Sequence, residues 1–453
     1  IMVSTKPPSG MRDYLPDAVS KRRYVIDKAE QVFQRYGFQP LETPSMENLS
    51  TLLGKYGDEG DQLLYRILHR GDKLTRALAE EGVDQAGLAE LGLRYDLTVP
   101  LARVVAQYRH LLPRFFKRYQ IQPVWRADRP AKGRFREFYQ CDVDVTGTRS
   151  MVAEAEVLNA MSDVLQELGF RNCTIAINHR ALLRGMIEVA GLAPEQEETA
   201  LVAIDKLDKV GVEAVKDELV GRGIPAGAAG RLMELTTDPG GSCGAGRMRE
   251  LRNHVPQAQQ ALDDLETLFS LTAEASCGPL LRLKPGLARG LSYYTGPIFE
   301  VISEDFSGSL GGGGRYDNLV GMFSGKQVPA VGFSLGLERI LLLMEEHQLF
   351  PASPMAATVM ICPLPGTALA PVIGLASRLR RAGIRVELYP EQTKIGRQLA
   401  AADDLHIPYA LIIGSDELDR RAYSLKHLAS GTQQVLDEAG LVDLLAGDSG
   451  VTA

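Results

Sequence analysis

The stretch WRADRPAKGRFREFYQCDVD, Trp125 to Asp144, decides the reading of this chain. Its first half is a cationic loop, with Arg126, Arg129, Lys132, Arg134 and Arg136 around one acid, Asp128. Its second half sorts with a period of two, the signature of a strand whose side chains alternate between faces. Tyr139, Cys141 and Val143, continued by Val145, point one way and suit a core. Arg136, Phe138, Gln140, Asp142 and Asp144 point the other. A face carrying an arginine, an aromatic ring, an amide and two carboxylates makes a poor core and an unusual solvent surface. It predicts the floor of a site for a ligand with an aromatic base, a phosphate and a polar head.

The cationic character starts earlier. Between Arg114 and Arg136 stand eight lysines and arginines against a single acid, interleaved with Phe115, Phe116, Tyr119, Trp125 and Phe135. A solvated basic face is the plain reading of such a run. The interleaved rings, and the strand that follows, favour contact with nucleotide or RNA phosphates. The net charge of −7 argues against a protein that coats nucleic acid indiscriminately. With 453 residues, 45% apolar and 24% charged, the chain has material for two or three globular domains with large cores. Its five cysteines, Cys141, Cys173, Cys243, Cys277 and Cys362, are scattered singly; this gives no zinc spacing and fits a reducing compartment. No run of 18 apolar residues occurs, and Ile1 to Pro8 carry no apolar signal region. The expectation is a cytoplasmic protein with no membrane partner.

Val25, Ala29, Val32 and Phe33, at helical spacing, predict a helix over 18–36 closed by Gly37. Phe38–Pro44 predicts a strand that its two prolines confine to an edge or an interface. A helical insertion is expected over Leu74–Leu91, then a strand, Leu93–Thr98, and another helix. An amphipathic helix follows at 152–168, and a short-looped helical insertion at about 181–265 shows no catalytic-looking cluster. Strands are expected at roughly 289–302 and 307–311, then a last strand and helix between Val331 and Glu346. Gly311–Gly314 lack the frame of a dinucleotide fingerprint. They either strip side chains from a sheet so that substrate can lie against backbone, or form a plain flexible hairpin. Residues 351–356 read as a linker that separates a domain at 1–350 from one at 357–453. There, apolar strands at Val359–Cys362, Arg385–Leu388 and Tyr409–Gly414 alternate with helices near 366–382 and 394–405. That alternation predicts a small, mostly parallel α/β domain.

These motifs resemble those of the histidyl-tRNA synthetases, a family of class II aminoacyl-tRNA synthetases, along nearly the whole chain. GMRDYLP (Gly10–Pro16) and LRYDLT (Leu93–Thr98) are similar to elements of that family, and Arg126–Asp144 to class II motif 2. ARGLSYYTG (Ala288–Gly296) resembles the element specific to the histidine enzymes, and GFSLGLER (Gly332–Arg339) resembles motif 3. Pro44 matches the motif 1 proline of the dimer interface, and Lys394–Leu399 through Lys426–Leu428 resemble the anticodon-binding domain. The resemblance implies an α+β catalytic domain, a six-stranded antiparallel sheet flanked by helices with a helical insertion. It also implies a small C-terminal α/β anticodon-binding domain and a homodimer. The implied reaction joins ATP and L-histidine into histidyl-adenylate and pyrophosphate, then moves histidine to the 3′ end of tRNA(His). Mg2+ would enter with ATP; the metal-binding residues stay open.

Roles follow from the same resemblance. Arg126 would bridge the α-phosphate and the substrate carboxylate, a bidentate task suited to a planar guanidinium. Arg289 would be catalytic, standing at the α-phosphate where other class II enzymes place a metal ion. Phe138 would stack on adenine with Arg339 against its other face, and Asp128 joins Arg126, Phe138 and Arg339 in the ATP set. Asp96, Thr98, Gln140 and Asp144 would receive the amino group and ring of histidine, with Tyr293 and Tyr294 beside the imidazole. Arg126 and Arg289 complete that histidine set. A pocket so lined rejects apolar analogues by about 10⁴- to 10⁵-fold without an editing domain.

Ser292 stands where the family commonly carries aspartate; period two turns it away from the Arg289 face, so it reads as a lineage mark. Asp96-Leu97-Thr98, where many bacterial members have Pro-Glu-Gly-Thr, reads the same way. The main rival is a non-charging, histidine-sensing paralogue of the type of the ATP phosphoribosyltransferase regulatory subunit. It usually lacks the motif arginines and the anticodon domain that this chain keeps. A class II synthetase for threonine, proline or glycine is opposed by the Arg289–Tyr294 element, and a pure RNA-binding protein would not need the carboxylate-lined strand. Lys394, Arg397 and Lys426 are candidates for anticodon contact by charge and position only.

Overall fold

Ten consecutive residues of the deciding stretch, Glu137–Thr146, form one strand near the middle of a large sheet. The computed structural model describes residues 4–80, 84, 87–237, 245–289, 293–351 and 357–448. In chain order the sheet comprises β1 (Gln39–Pro40), β2 (Phe116–Trp125), β3 (Glu137–Thr146), β4 (Cys173–His179), β5 (Leu281–Leu283), β6 (Pro297–Ser303), β7 (Phe306–Arg315) and β8 (Ala330–Gly336). They lie in the order β1-β2-β3-β8-β7-β6-β4-β5. From β2 to β4 every pairing is antiparallel, which gives the expected six-stranded antiparallel sheet. Two short parallel strands widen it, β1 beside β2 and β5 beside β4. Pro40 sits in edge strand β1, where its missing N–H costs the ladder nothing.

Helices close one face. Val25, Ile26 and Ala29 of α1 (Pro16–Arg35) meet Cys141 and Leu335 of the sheet, Val164 of the later helix Val152–Glu167 and Leu168 just beyond it. Cys141, Val143 and Val145 are buried as their alternation requires. Asp142 and Asp144 are buried too, so chemistry rather than exposure separates the two faces of β3. Between β4 and β5 the chain is helical, from Arg180–Ala190 to Gln259–Thr272.

Three local readings are corrected. The strand expected at Leu93–Thr98 runs instead from Ala89 to Leu93, in a three-stranded sheet with Met46–Asn48 and Arg66–Leu68. Arg94–Leu97 bends out of the strand, and Thr98 opens a helix, Thr98–Tyr108, with Leu97 at its N-cap; Asp96 Oδ1, one residue earlier, accepts the Val99 N–H at 3.1 Å. The helical insertion expected over 74–91 is one helix, Gly71–Ala79, followed by that strand; residues 81–83, 85 and 86 lie outside the described ones. The strand expected from 289 begins only at Pro297, and Leu291 and Ser292 lie outside the described residues.

A second compact unit begins at Phe350. Its sheet has five strands, β9 (Val359–Pro363), β10 (Val386–Leu388), β11 (Tyr409–Ile413), β12 (Tyr423–His427) and β13 (Gln433–Leu436), ordered β10-β9-β11-β12-β13. The first three are parallel, as expected; β12 and β13 add an antiparallel extension. Residues 352–356 of the expected linker lie outside the described residues.

One buried ion pair ties the end of β7 to the helix Val152–Glu167. Arg315 forks onto Glu154, Nε to Oε1 at 2.6 Å and Nη2 to Oε2 at 2.7 Å. Both side chains are sealed from solvent, so losing Glu154 leaves the Arg315 charge to Asp317 alone, 3.0 Å from Nη1. Glu154→Ala is expected to cost about 3–5 kcal/mol, read as a lower urea midpoint for unfolding.

Candidate active site

Cross-strand register builds the floor of the site. Arg118, Gln120 and Gln122 of β2 stand opposite Asp144, Asp142 and Gln140 of β3. On the other side of β3, Ser334 and Gly332 of β8 stand opposite Asp142 and Asp144. Arg118 Nη2 lies 2.8 Å from Asp144 Oδ2 and 3.9 Å from Asp142 Oδ2, and the Tyr316 hydroxyl donates to Asp144 Oδ1. Gln140 donates to Ser334 Oγ at 2.9 Å. Its Oε1, like Asp142 Oδ1, is buried without a hydrogen-bond partner. The turn before the helix brings Asp96 to the same place. Its Oδ1 also accepts from the Tyr56 hydroxyl at 3.0 Å, and Oδ2 accepts from the Tyr293 hydroxyl at 3.3 Å. Tyr293 packs on Tyr294 at 4.9 Å and edge-on to Tyr316 at 6.0 Å between ring centroids, and its hydroxyl neighbours Thr98. Asp96, Thr98, Tyr293 and Tyr294 are thus one cluster, and Tyr316 joins it to Asp144. Burial pushes the Asp96, Asp142 and Asp144 carboxyls up, while Arg118 holds the last two down. This end of the floor is acceptor-rich and short of positive charge.

The other end is cationic. Arg126 Nε donates to the Tyr95 carbonyl at 3.0 Å, and its guanidinium lies 4.1 Å from the Tyr95 ring centre and 5.2 Å from that of Phe138. Arg289 Nη1 reaches the Phe299 carbonyl at 3.5 Å and stands 3.9 Å from Glu300, while its Nε is buried and unpartnered. Arg339 donates to the Ser309 carbonyl. Burial depresses its pKa; neighbouring Arg134, Arg126 and Arg289 depress it further, and Glu300 opposes them. Arg126, Arg134, Arg289 and Arg339 lie near enough to influence one another, a concentration of cationic charge suited to a polyanion. Asp128, expected in the ATP set, is engaged inside the motif 2 loop: its carboxylate holds Arg134 at 2.6 Å and its carbonyl accepts from Arg136 at 3.0 Å. Among the described residues, no group of three His, Cys, Asp or Glu side chains is arranged to hold a metal ion.

One sheet floor thus carries an acceptor-rich end and a cationic end. Residues 10–340 match the family model for histidyl-tRNA synthetase, and residues 358–447 match that for an anticodon-binding domain. The chain belongs to the histidyl-tRNA synthetase family. A histidine–tRNA ligase of Cytophaga hutchinsonii is 44% identical over 443 residues, covering 94% of this chain and 96% of that one. One from Gloeobacter violaceus is 41% identical, covering 97% of each. The crystal structure of histidyl-tRNA synthetase from Nostoc sp. PCC 7120 superposes with a TM-score of 0.82 at 27% identity, over 99% of this chain and 100% of that one. A Bacillus halodurans structure described as an ATP phosphoribosyltransferase regulatory subunit/histidyl-tRNA synthetase shares the fold, with a TM-score of 0.72 at 21% identity, over 90% and 98% of the chains.

Arg118, Tyr56 and Tyr316 escaped the sequence reading of the site. For Arg118 the signal was present: Arg118, Gln120 and Gln122 alternate with Tyr119 and Ile121 as cleanly as the residues of β3 do. The glycines also have another use than expected. Gly311–Gly314 lie within β7, paired on both sides, and form no hairpin. A Cβ at Gly312 would stand 2.0 Å from Arg289 Nη1, and one at Gly314 would stand 2.9 Å from the Tyr294 ring. Across the sheet, a Cβ at Gly332 would stand 1.9 Å from Asp144 Oδ1. Bare backbone here makes room for the site's own arginine, tyrosine and aspartate. Gly312→Ala is therefore expected to displace Arg289 and lower the rate of amino-acid activation on the order of 10²-fold. Circular dichroism and melting temperature should stay near wild type.

Proposed function

We propose that this chain, as a histidine–tRNA ligase, activates histidine on the floor formed by β3 and its neighbours. Histidine lies with its ammonium and ring toward Asp96, Thr98, Gln140 and Asp144, beside Tyr293 and Tyr294, and with its carboxylate toward Arg126 and Arg289. ATP lies with adenine on Phe138 and its phosphates among Arg126, Arg289 and Arg339. Asp128 serves ATP through the Arg134 it holds. The histidine carboxylate oxygen attacks the α-phosphorus in line, the bond to the bridging oxygen breaks, and pyrophosphate leaves. The arginines cancel charge as it builds on the phosphoryl oxygens, so no side chain needs to move a proton in this step. In the second step the terminal ribose hydroxyl of tRNA(His) attacks the adenylate carbonyl and AMP departs. Mg2+ would enter bound to the phosphates of ATP and help neutralise their charge.

The observation that carries this reading is the division of one sheet floor into a carboxylate end and an arginine end. A histidine-sensing paralogue would need only the first. The presence of Arg126, Arg289 and Arg339, together with the anticodon-type unit, favours the ligase. We assign catalysis to residues 1–350, with 181–265 an insertion, and anticodon binding to 357–453, where Lys394, Arg397 and Lys426 are the candidate contacts. A cytoplasmic homodimer, with Pro44 at its interface, completes the proposal; no helix among the described residues is long and apolar enough to cross a membrane.

ATP–pyrophosphate exchange across the twenty amino acids tests the reaction. Exchange is expected with histidine alone, and Arg289→Ala is expected to reduce it about 10²- to 10³-fold. Exchange with no amino acid would return the chain to the sensing role.

A further inference from the structure

We propose that Arg118 is a positioning residue for histidine selection: one buried guanidinium fixes both the Asp144 carboxylate and the turn that carries Asp96 and Thr98. The proposal rests on the assignment of Asp96 and Asp144 to histidine made above. Arg118 is 0% exposed and lies directly across the ladder from Asp144. Its Nη2 forms an ion pair with Asp144 Oδ2 at 2.8 Å and donates a hydrogen bond to the Leu97 carbonyl at 3.2 Å. Leu97 lies between Asp96 and Thr98, so the position of that carbonyl sets how both side chains leave the turn. The second amino group, Nη1, donates to Gln120 Oε1 at 3.2 Å. Gln120 in turn donates to Thr43 Oγ1 at 2.9 Å and to Gln122 Oε1 at 2.7 Å. Gln122 Oε1 also accepts from Arg94 Nη1 at 2.9 Å. Arg94, itself 1% exposed, opens the turn. The turn is thus held at both ends by buried arginines joined through two glutamines.

Placement makes this a device for orientation rather than contact. With no exposed surface, Arg118 cannot touch substrate; it acts through the groups it holds. Its planar fork addresses Asp144 and the Leu97 carbonyl through Nη2 and Gln120 through Nη1 at once, whereas a lysine offers a single point charge. Arg118→Lys should therefore keep the charge and lose the alignment. It would leave the ATP end, built from Arg126, Arg289 and Arg339, untouched.

The test is steady-state exchange with the full-length protein, with the KM for histidine and the KM for ATP measured separately. Asp144→Asn serves as a control for the pocket, and Arg118→Met as a second probe of the site. Calorimetric titration of histidinol, which has the ammonium and ring but no carboxylate, reads the same end without catalysis. Arg118→Lys is expected to raise the histidine KM and the histidinol Kd about 10- to 100-fold, the worth of one charge-assisted hydrogen bond, with the ATP KM unchanged. Arg118→Met should raise them at least as far. A rise in both KM values together, or a fall in active enzyme with neither KM moved, would overturn the proposal. If Asp144→Asn shifts the histidine KM and Arg118→Lys does not, the proposal fails while the pocket stands. If Asp144→Asn shifts nothing, the pocket assignment has failed and the proposal with it.

Discussion

A carboxylate taken out of water must find positive charge or protons nearby, and the interior of this sheet is arranged around that requirement. Asp96, Asp142 and Asp144 are each 1–2% exposed. Between them they have one fully buried cation, Arg118, and a set of tyrosine hydroxyls. Desolvation raises all three carboxyls; Arg118 opposes the rise at Asp142 and Asp144, and Arg126 opposes it at Asp96, without cancelling it. A cluster left so short of positive charge is poor architecture and good recognition. A ligand that brings an ammonium and ring donors supplies what the fold withholds, and an apolar side chain of the same size supplies nothing.

The same economy of space governs the cationic end. Arg289 occupies volume that any residue but glycine at 312 would claim, and Asp144 does so opposite Gly332. Antiparallel pairing through β7 and β8 is kept, so the glycines weaken no ladder; they lower its side-chain layer locally so that long polar groups from elsewhere can lie flat on it. The floor is therefore made by the strands and furnished by loops, with Arg289 from the segment before β6 and Arg126 from the loop before β3. The paired strands and the loop residues that supply the arginines are separated in sequence and joined in space.

What could be read from the sequence was what is local. Alternation in β3 is a property of ten neighbouring residues, and it predicted both the core side and the polar side correctly. The Arg94–Leu97 turn could not be read that way. Leu93–Thr98 alternates acceptably as a strand, and only the tertiary bonds of Arg94 and Arg118, with the bond from Val99 N–H to Asp96, decide that the chain bends there. Arg118 was misplaced for a related reason. Counted along the chain it is one of eight basic residues in a run, but the fold turns it inward while Lys117 next to it pairs with Glu156 at 2.7 Å near the surface. A charge run is a statement about composition; which of its members meets solvent depends on the strand that carries it. β12 and β13 were missed because their polar faces mask short apolar alternations such as Tyr423 and Leu425.

Shared architecture alone does not choose between a charging enzyme and a histidine sensor, since a structure whose description names both roles has this fold. The distinction lies in what each activity must neutralise. A sensor of free histidine has an ammonium, a ring and one carboxylate to satisfy, and an arginine cluster half-buried beside the sheet would be electrostatic cost without return. Activation must also hold a triphosphate and the charge that grows at its α-phosphorus. Burial and the neighbouring Arg134, Arg126 and Arg289 lower the Arg339 pKa, and Glu300 opposes them. A fold that brings these cations together, with bare glycine backbone cleared to seat Arg289, suits a phosphate chain as well as an amino acid.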